Sequence, residues 1–180
     1  MGCGKSSVGR KLSELLCCPF MDLDDIIEQH TGRGIPEVFV TDGEASFRQL
    51  ELTSLQDILN LETPKSATIL SLGGGAVTTP ECAALVHEKT ICIYLRTSVD
   101  TLVTRLAGEI SGRPLLNALP NDKEESISQI DKLRLRIEDL MNQRASTYEC
   151  TAHITLDTDA LTIDEVAHSI IKIINQYCNR

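Results

Sequence analysis

The chain opens Met1-Gly2-Cys3-Gly4-Lys5-Ser6-Ser7-Val8-Gly9-Arg10, and this stretch decides the fold. Gly4-Lys5-Ser6 is the end of the phosphate-binding loop G-x-x-x-x-G-K-[ST], and Val8, Leu12, Leu15 and Leu16 follow at helical spacing. The chemistry needs each residue type. Glycines let backbone N–H groups converge on phosphate oxygens, and the helix N-terminus adds partial positive charge. Lys5 is placed to reach β- and γ-phosphates, and the Ser6 hydroxyl to ligate the Mg²⁺ that bridges them. Gly2 to Ser7, Cys3 included, therefore form the expected nucleotide cradle. The motif has eight positions and the chain holds the last six. The buried strand that delivers a chain into such a loop would lie before Met1, so the sequence is expected to begin about ten residues inside the protein.

Composition narrows the class. A length of 180 residues suits one domain, 1–180, with enough chain to bury a sizeable core. No uninterrupted apolar run reaches the roughly 18 residues of a membrane span, so no membrane partner is expected and the cytoplasm is the default placement. The net charge of −9 argues against a nucleic-acid surface. An anionic small substrate still fits where a few arginines converge. The seven cysteines are odd in number and contain no C-x-x-C, which reads as reduced thiols. His30, His87, His153 and His168 show no metal-ligand spacing, so zinc is not expected.

Apolar patterning alternates strand and helix along the chain. Short buried strands are predicted at Cys17–Met21, Thr68–Leu72, Thr90–Leu95 and His153–Leu156. Helices are predicted after the loop, at Asp25–His30, from Ile35, over Glu44–Leu59, Pro80–His87, Val99–Ala107, Asp122–Arg144 and Ile163–Tyr177. Strands separated by helices indicate an α/β fold with a parallel sheet wound by right-handed crossovers.

Ligands of open parallel sheets sit beyond the carboxyl ends of the strands, and several suggestive residues fall there. Asp22 and Asp24 follow one strand. Asp24 could simply cap the next helix, but beside a phosphate loop the pair also suits a Mg²⁺-phosphate site and a base for an acceptor hydroxyl. Arg48 and Glu51 are three apart on one helical face, and the plain reading is a surface ion pair. Gly73-Gly74-Gly75 is either a flexible strand end or bare backbone against which a substrate lies. Arg113 is either a solvated loop residue or a lid residue that neutralises a moving phosphoryl group. Arg144 could be only a snorkelling helix-end arginine.

Taken in order, the motifs resemble those of the shikimate kinase family over nearly the whole chain. They are Gly2-Cys3-Gly4-Lys5-Ser6, Asp22-Leu23-Asp24, Phe47-Arg48-Gln49-Leu50-Glu51, Ser71-Leu72-Gly73-Gly74-Gly75-Ala76-Val77, Arg113-Pro114-Leu115-Leu116, and Arg144 with Tyr148 four residues on. The phosphate loop alone is generic, whereas the ordered set is specific. The resemblance implies a three-layer α/β/α P-loop kinase fold with a five-stranded parallel sheet, order 2-3-1-4-5. The first strand would be missing from this sequence, and a mobile lid is implied at about 108–122. It implies transfer of the γ-phosphoryl group of ATP to the 3-hydroxyl of shikimate by a monomer that uses Mg²⁺.

By the same resemblance Asp24 holds the reacting hydroxyls and serves as base, and Asp22, with Ser6, places the metal. Arg48 and Arg144 grip the substrate carboxylate above the floor formed by Gly73 to Gly75. Arg113 is the lid arginine, and Arg105 lies near the adenine. Two departures stand out: Asn117–Gln143 is about a dozen residues longer than the family's usual connection, and Ala145-Ser146-Thr147 lacks its usual proline. The rival readings are a kinase of another small hydroxy acid such as gluconate, and a non-catalytic nucleotide-binding relic. The first would not be expected to carry Arg48, the triple glycine and Arg113-Pro114-Leu115-Leu116 together.

Overall fold

The structure is a computed structural model that describes residues 2–60, 67–107 and 128–178. Helix α1 (Lys5–Leu16) starts inside the phosphate loop and presents Val8 and Leu12 to the core. Leu15 and Leu16 belong to the same apolar pattern but stay about two-fifths exposed, at 39% and 42%. The expected strand at Cys17–Met21 is shorter than its apolar run. Cys17 adopts φ 50° as the left-handed cap of α1, and the N–H groups of Cys17 and Cys18 bond back to Glu14 and Ser13. Helix capping claims those residues, and strand β1 is Phe20–Asp22.

Helix α2 (Leu23–Thr31) follows without a loop, capped by Asp22, whose side chain accepts the Asp24 N–H. The cap is therefore Asp22 rather than Asp24, which lies in the first turn. Helix α3 (Ile35–Asn60) is continuous except at Gly43, whose φ of 81° and ψ of 169° break it. Only glycine takes that conformation without strain, so the expected two helical pieces meet at this kink. Arg33, paired with Asp42 and bonded to Thr41, spans the approach to it.

The remaining elements are β2 (Ile69–Ser71), a 3₁₀ turn (Ala76–Thr78), α4 (Pro80–Lys89), β3 (Ile93–Arg96), α5 (Val99–Leu106), α6 (Gln129–Thr151), β4 (Ile154–Asp157) and α7 (Ile163–Cys178). Helix α6 runs seven residues past the expected end at Arg144, which puts Tyr148 one turn further along it. The start expected at Asp122 and the lid at 108–122, Arg113 included, lie outside the described residues.

Strands β1 and β2 pair in parallel, Phe20 opposite Ile69 and Asp22 opposite Ser71. Strands β3 and β4 pair in parallel, Ile93 opposite Ile154 and Arg96 opposite Asp157. Among the described residues these are two separate pairs, not one sheet. One apolar cluster spans them: Val8 and Leu12 of α1 and Val166, Ala167 and Ile170 of α7 pack with Ile69 of β2, Ile93 and Leu95 of β3 and Leu156 of β4. Each fully buried aliphatic side chain there contributes roughly 1.5–3 kcal/mol, so α1 is fixed against both halves at once. Gly9 permits the close approach, because a Cβ there would lie 2.5 Å from the Phe20 ring.

The described cysteines are free thiols. Burial pushes Cys82 and Cys92 up to about 11, which keeps them protonated and unreactive. No helix among the described residues is long and apolar enough to cross a membrane.

Candidate active site

The site begins at Gly4, whose φ of 88° turns the chain into α1. That conformation leaves the first N–H groups of the helix aimed outward as anion donors. Gly2, with φ 67°, lies so close to Leu106 that a Cβ would approach it to 3.0 Å. The Lys5 ammonium stands 3.8 Å from Cys3 Sγ. Burial alone would raise the Cys3 thiol, whereas the Lys5 ammonium and the nearby backbone N–H groups oppose it, and the thiol lies below its ordinary value.

Gly2 to Ser7 line an open cavity of about 780 Å³ together with Asp22, Asp24, Ser71 and Arg105. The volume is within the range of small-ligand sites, roughly 300–1,000 Å³. Arg105 reaches across it to the Gly2 carbonyl at 3.4 Å. Ser6 Oγ donates to Asp22 Oδ2 at 2.7 Å and lies 3.5 Å from Ser71 Oγ. Two hydroxyls and a carboxylate clustered beside a phosphate loop fit Mg²⁺, a hard cation that keeps several waters and takes phosphate oxygens as further ligands. Ser71, inside the glycine motif, is a site residue that sequence reading passed over.

The second half of the site is built on the glycine turn after β2. Asp24 and Glu51 both press on Gly73, since a Cβ there would sit 2.7 Å from Asp24 Oδ1 and 3.2 Å from Glu51 Oε1. A Cβ at Gly75 would overlap the Arg48 guanidinium. Gly73 and Gly75 are therefore required by close approach, and a flexible strand end does not describe them. Gly75→Ala is expected to displace Arg48 and raise the KM for an acid substrate at least about tenfold, with the KM for ATP unchanged. Steady-state kinetics with each substrate varied in turn checks this.

Arg48 donates to Glu51 at 2.5 Å and to Glu44 at 2.8 Å. The surface-pair reading fails on burial, because Glu51 is only 1% exposed. Burial raises the Glu51 carboxyl and the charge of Asp24 adds to this, while Arg48 and Arg144 oppose it. Arg48 is hydrogen-bonded to this carboxylate, whereas Arg144 acts on it only through its charge. Burial also raises the Asp24 carboxyl, with the Asp22 charge adding and the Lys5 ammonium opposing. Activity that needs Asp24 ionised falls as pH drops through its pKa. Because that value is raised in the free protein, the acid limb of kcat/KM is expected above the ordinary aspartate value of about 3.9. Asp25→Asn, which removes one of the charges that raises it, is expected to move the limb to lower pH. A limb that does not move would take Asp24 out of the profile.

The arrangement thus runs from an anion cradle (Gly2–Ser7, Lys5), through a metal-suited pair and a partly buried carboxylate (Asp24), to Arg48 against a glycine turn. A comparison of the chain with family models gives one described as shikimate kinase, matching residues 1–175. The chain belongs to the shikimate kinase family. The shikimate kinase of Salinibacter ruber is 37% identical over 174 residues, covering 97% of this chain and 80% of that protein. That of Chlorobium chlorochromatii is 36% identical, covering 98% and 87%. Among solved structures, shikimate kinase from Acinetobacter baumannii in complex with shikimate superposes with a TM-score of 0.84 at 32% identity, over 98% of this chain and 89% of that one. Shikimate kinase from Bacteroides thetaiotaomicron gives 0.81 at 27%, over 97% and 94%. Membership of this family supports an α/β P-loop kinase fold and an ATP-dependent small-molecule kinase.

Proposed function

We propose that the chain transfers the γ-phosphoryl group of ATP to the 3-hydroxyl of shikimate, giving shikimate 3-phosphate and ADP in aromatic amino acid biosynthesis. The observation that carries this is the contiguity of Asp24, Gly73, Glu51, Arg48 and Gly75 beside Lys5, in a chain of this family. Arg48 and Arg144 bind the carboxylate of the acid; a guanidinium fork suits a planar carboxylate. The glycine floor sets the depth at which the ring lies, and Asp24 receives its hydroxyl. The hydroxyl oxygen bonds to the γ-phosphorus as the bond to the β–γ bridging oxygen breaks, and the hydroxyl proton passes to Asp24. A loose transition state releases that proton late, so a modestly raised carboxylate suffices.

Lys5 and the loop N–H groups hold the phosphates in line, and Arg105 lies along the nucleotide. Ser6 and Asp22 would hold Mg²⁺, which neutralises phosphate charge when bound. Arg113 neutralises the charge of the phosphoryl group in flight. In the finer architecture, the two strand pairs are parts of one five-stranded parallel sheet of the family's kind, with β2 and β3 on either side of its middle position. The apolar lining contributed there by Leu72, Ile93 and Leu95 supports this. The protein works as a cytoplasmic monomer; unpaired thiols support the compartment.

A coupled ADP-release assay with Mg·ATP and a panel of shikimate, gluconate and nucleoside monophosphates tests the reading. Turnover with shikimate alone is expected. Preferred turnover of gluconate would overturn the substrate, and nucleotide binding without any turnover would favour a non-catalytic role.

A further inference from the structure

The glycine turn has three carbonyl oxygens, and they are held differently. Gly73 O accepts from the Ala76 N–H at 3.2 Å, and Gly75 O accepts from the Thr78 N–H at 3.0 Å and from Thr78 Oγ1 at 2.6 Å. Both are local bonds. The middle carbonyl, Gly74 O, accepts instead from the phenol of Tyr148 on α6. Tyr148 lies four residues after Arg144, so the two side chains share a face of that helix. Its ring is fixed by packing: the Tyr94 ring lies 5.3 Å away at 45°, and Tyr148 also packs on the cluster around Leu55, Val77, Cys82 and Val86. A ring held that firmly gives its hydroxyl one direction, toward Gly74.

We propose that Tyr148 is a positioning residue for the acid substrate, a strut between the helix that carries Arg144 and the glycine floor against which Asp24 and Arg48 lie. The inference rests on the acid-kinase reading above. The peptide bonds of the described chain are trans, so holding the Gly74 carbonyl toward Tyr148 sends the Gly75 N–H the opposite way. The flanking glycines then have no latitude. Gly73 has Asp24 and Glu51 against it, and Gly75 has the Arg48 guanidinium. Rotation of the Gly74–Gly75 peptide therefore disturbs both arginine and carboxylate placement. The nucleotide cradle at Gly2–Ser7 is carried by α1 and its loop rather than by α6 or the glycine turn.

Tyr148→Phe removes the hydroxyl and keeps the ring. The expected result is a rise of about tenfold in the KM for shikimate, with kcat lowered less than about threefold and the KM for ATP within about twofold. Tyr94→Phe removes a hydroxyl from the same ring pair without touching Gly74, and its kinetics are expected to match the unaltered protein. Equal rises in both KM values, no rise in either, equal effects of the two variants, or failure of Tyr148→Phe to fold would each show a packing role and overturn the proposal. An unaltered protein without shikimate-dependent turnover is a separate result: it would overturn the kinase reading.

Discussion

Asp24→Asn is expected to lower kcat by about 10²–10⁴-fold, the usual contribution of a general acid–base group, while the affinity for ATP changes by less than about threefold. The substitution is nearly isosteric, so the crowding against Gly73 is preserved and the floor keeps its shape. The first turn of α2 is also kept, because its cap is the side chain of Asp22, with Asp24 supplying only a backbone N–H. What is lost is a carboxylate that lines the cavity with Lys5 and lies against the glycine turn. Steady-state rates with saturating Mg·ATP, together with a nucleotide titration, check both parts. Near-normal kcat would remove Asp24 from the proton-accepting role.

Arg48→Ala should damage binding and stability together. The substrate carboxylate loses a charge-assisted partner worth roughly 1.5–3 kcal/mol, so the KM for shikimate rises about 10–100-fold, with ATP affinity unaffected. Stability falls by about 3–5 kcal/mol, because the variant leaves a buried carboxylate without its partner; Glu51 is 1% exposed and bonded to Arg48 at 2.5 Å. The sign with pH follows from Glu51, whose carboxyl is already raised by burial and rises further without Arg48. A raised folded-state carboxyl leaves stability intact below the unfolded value, about 4.3, and erodes it as pH climbs through the folded value. The penalty is therefore small in acid and largest near neutrality. Glu51→Gln added to Arg48→Ala is expected to restore much of the melting temperature and none of the substrate affinity. Thermal melts across pH, set beside KM values, separate the two effects. A change confined to ATP would contradict the assignment.

What could be read from the chain alone was what lies close together along it. Gly4-Lys5-Ser6 is contiguous, so its chemistry needs no tertiary knowledge, and the helix behind it follows from the spacing of Val8 and Leu12. Gly43 announces a break in a helical run because few residues tolerate its φ. Glu51 was not legible. An Arg and a Glu three apart on a helix look alike whether that face meets water or a glycine turn, and only the docking of α3 against Gly73–Gly75 decides. Asp22 and Asp24 both suit a helix N-terminus, and the cap fell to Asp22 because α2 begins with Leu23, fully buried, immediately after β1. The apolar Cys17-Cys18 pair imitates a strand, yet its N–H groups end α1. Leu15 and Leu16 fit the helical period and still face outward, since periodicity marks a stripe without marking its width. The pairing of Tyr148 with Gly74 joins residues 74 apart, a separation that no local pattern encodes.

The central claim is that one site seats a small acid between two arginines, with its hydroxyl on Asp24 and its phosphoryl donor on Lys5. A crystal structure of the protein with shikimate and ADP tests it most directly. The expected density places the carboxylate within hydrogen-bond distance of Arg48 and Arg144, the 3-hydroxyl on Asp24, and the β-phosphate in the loop at Gly2–Ser7. Shikimate bound with its carboxylate away from both arginines, or with its 3-hydroxyl turned away from Asp24, would contradict it.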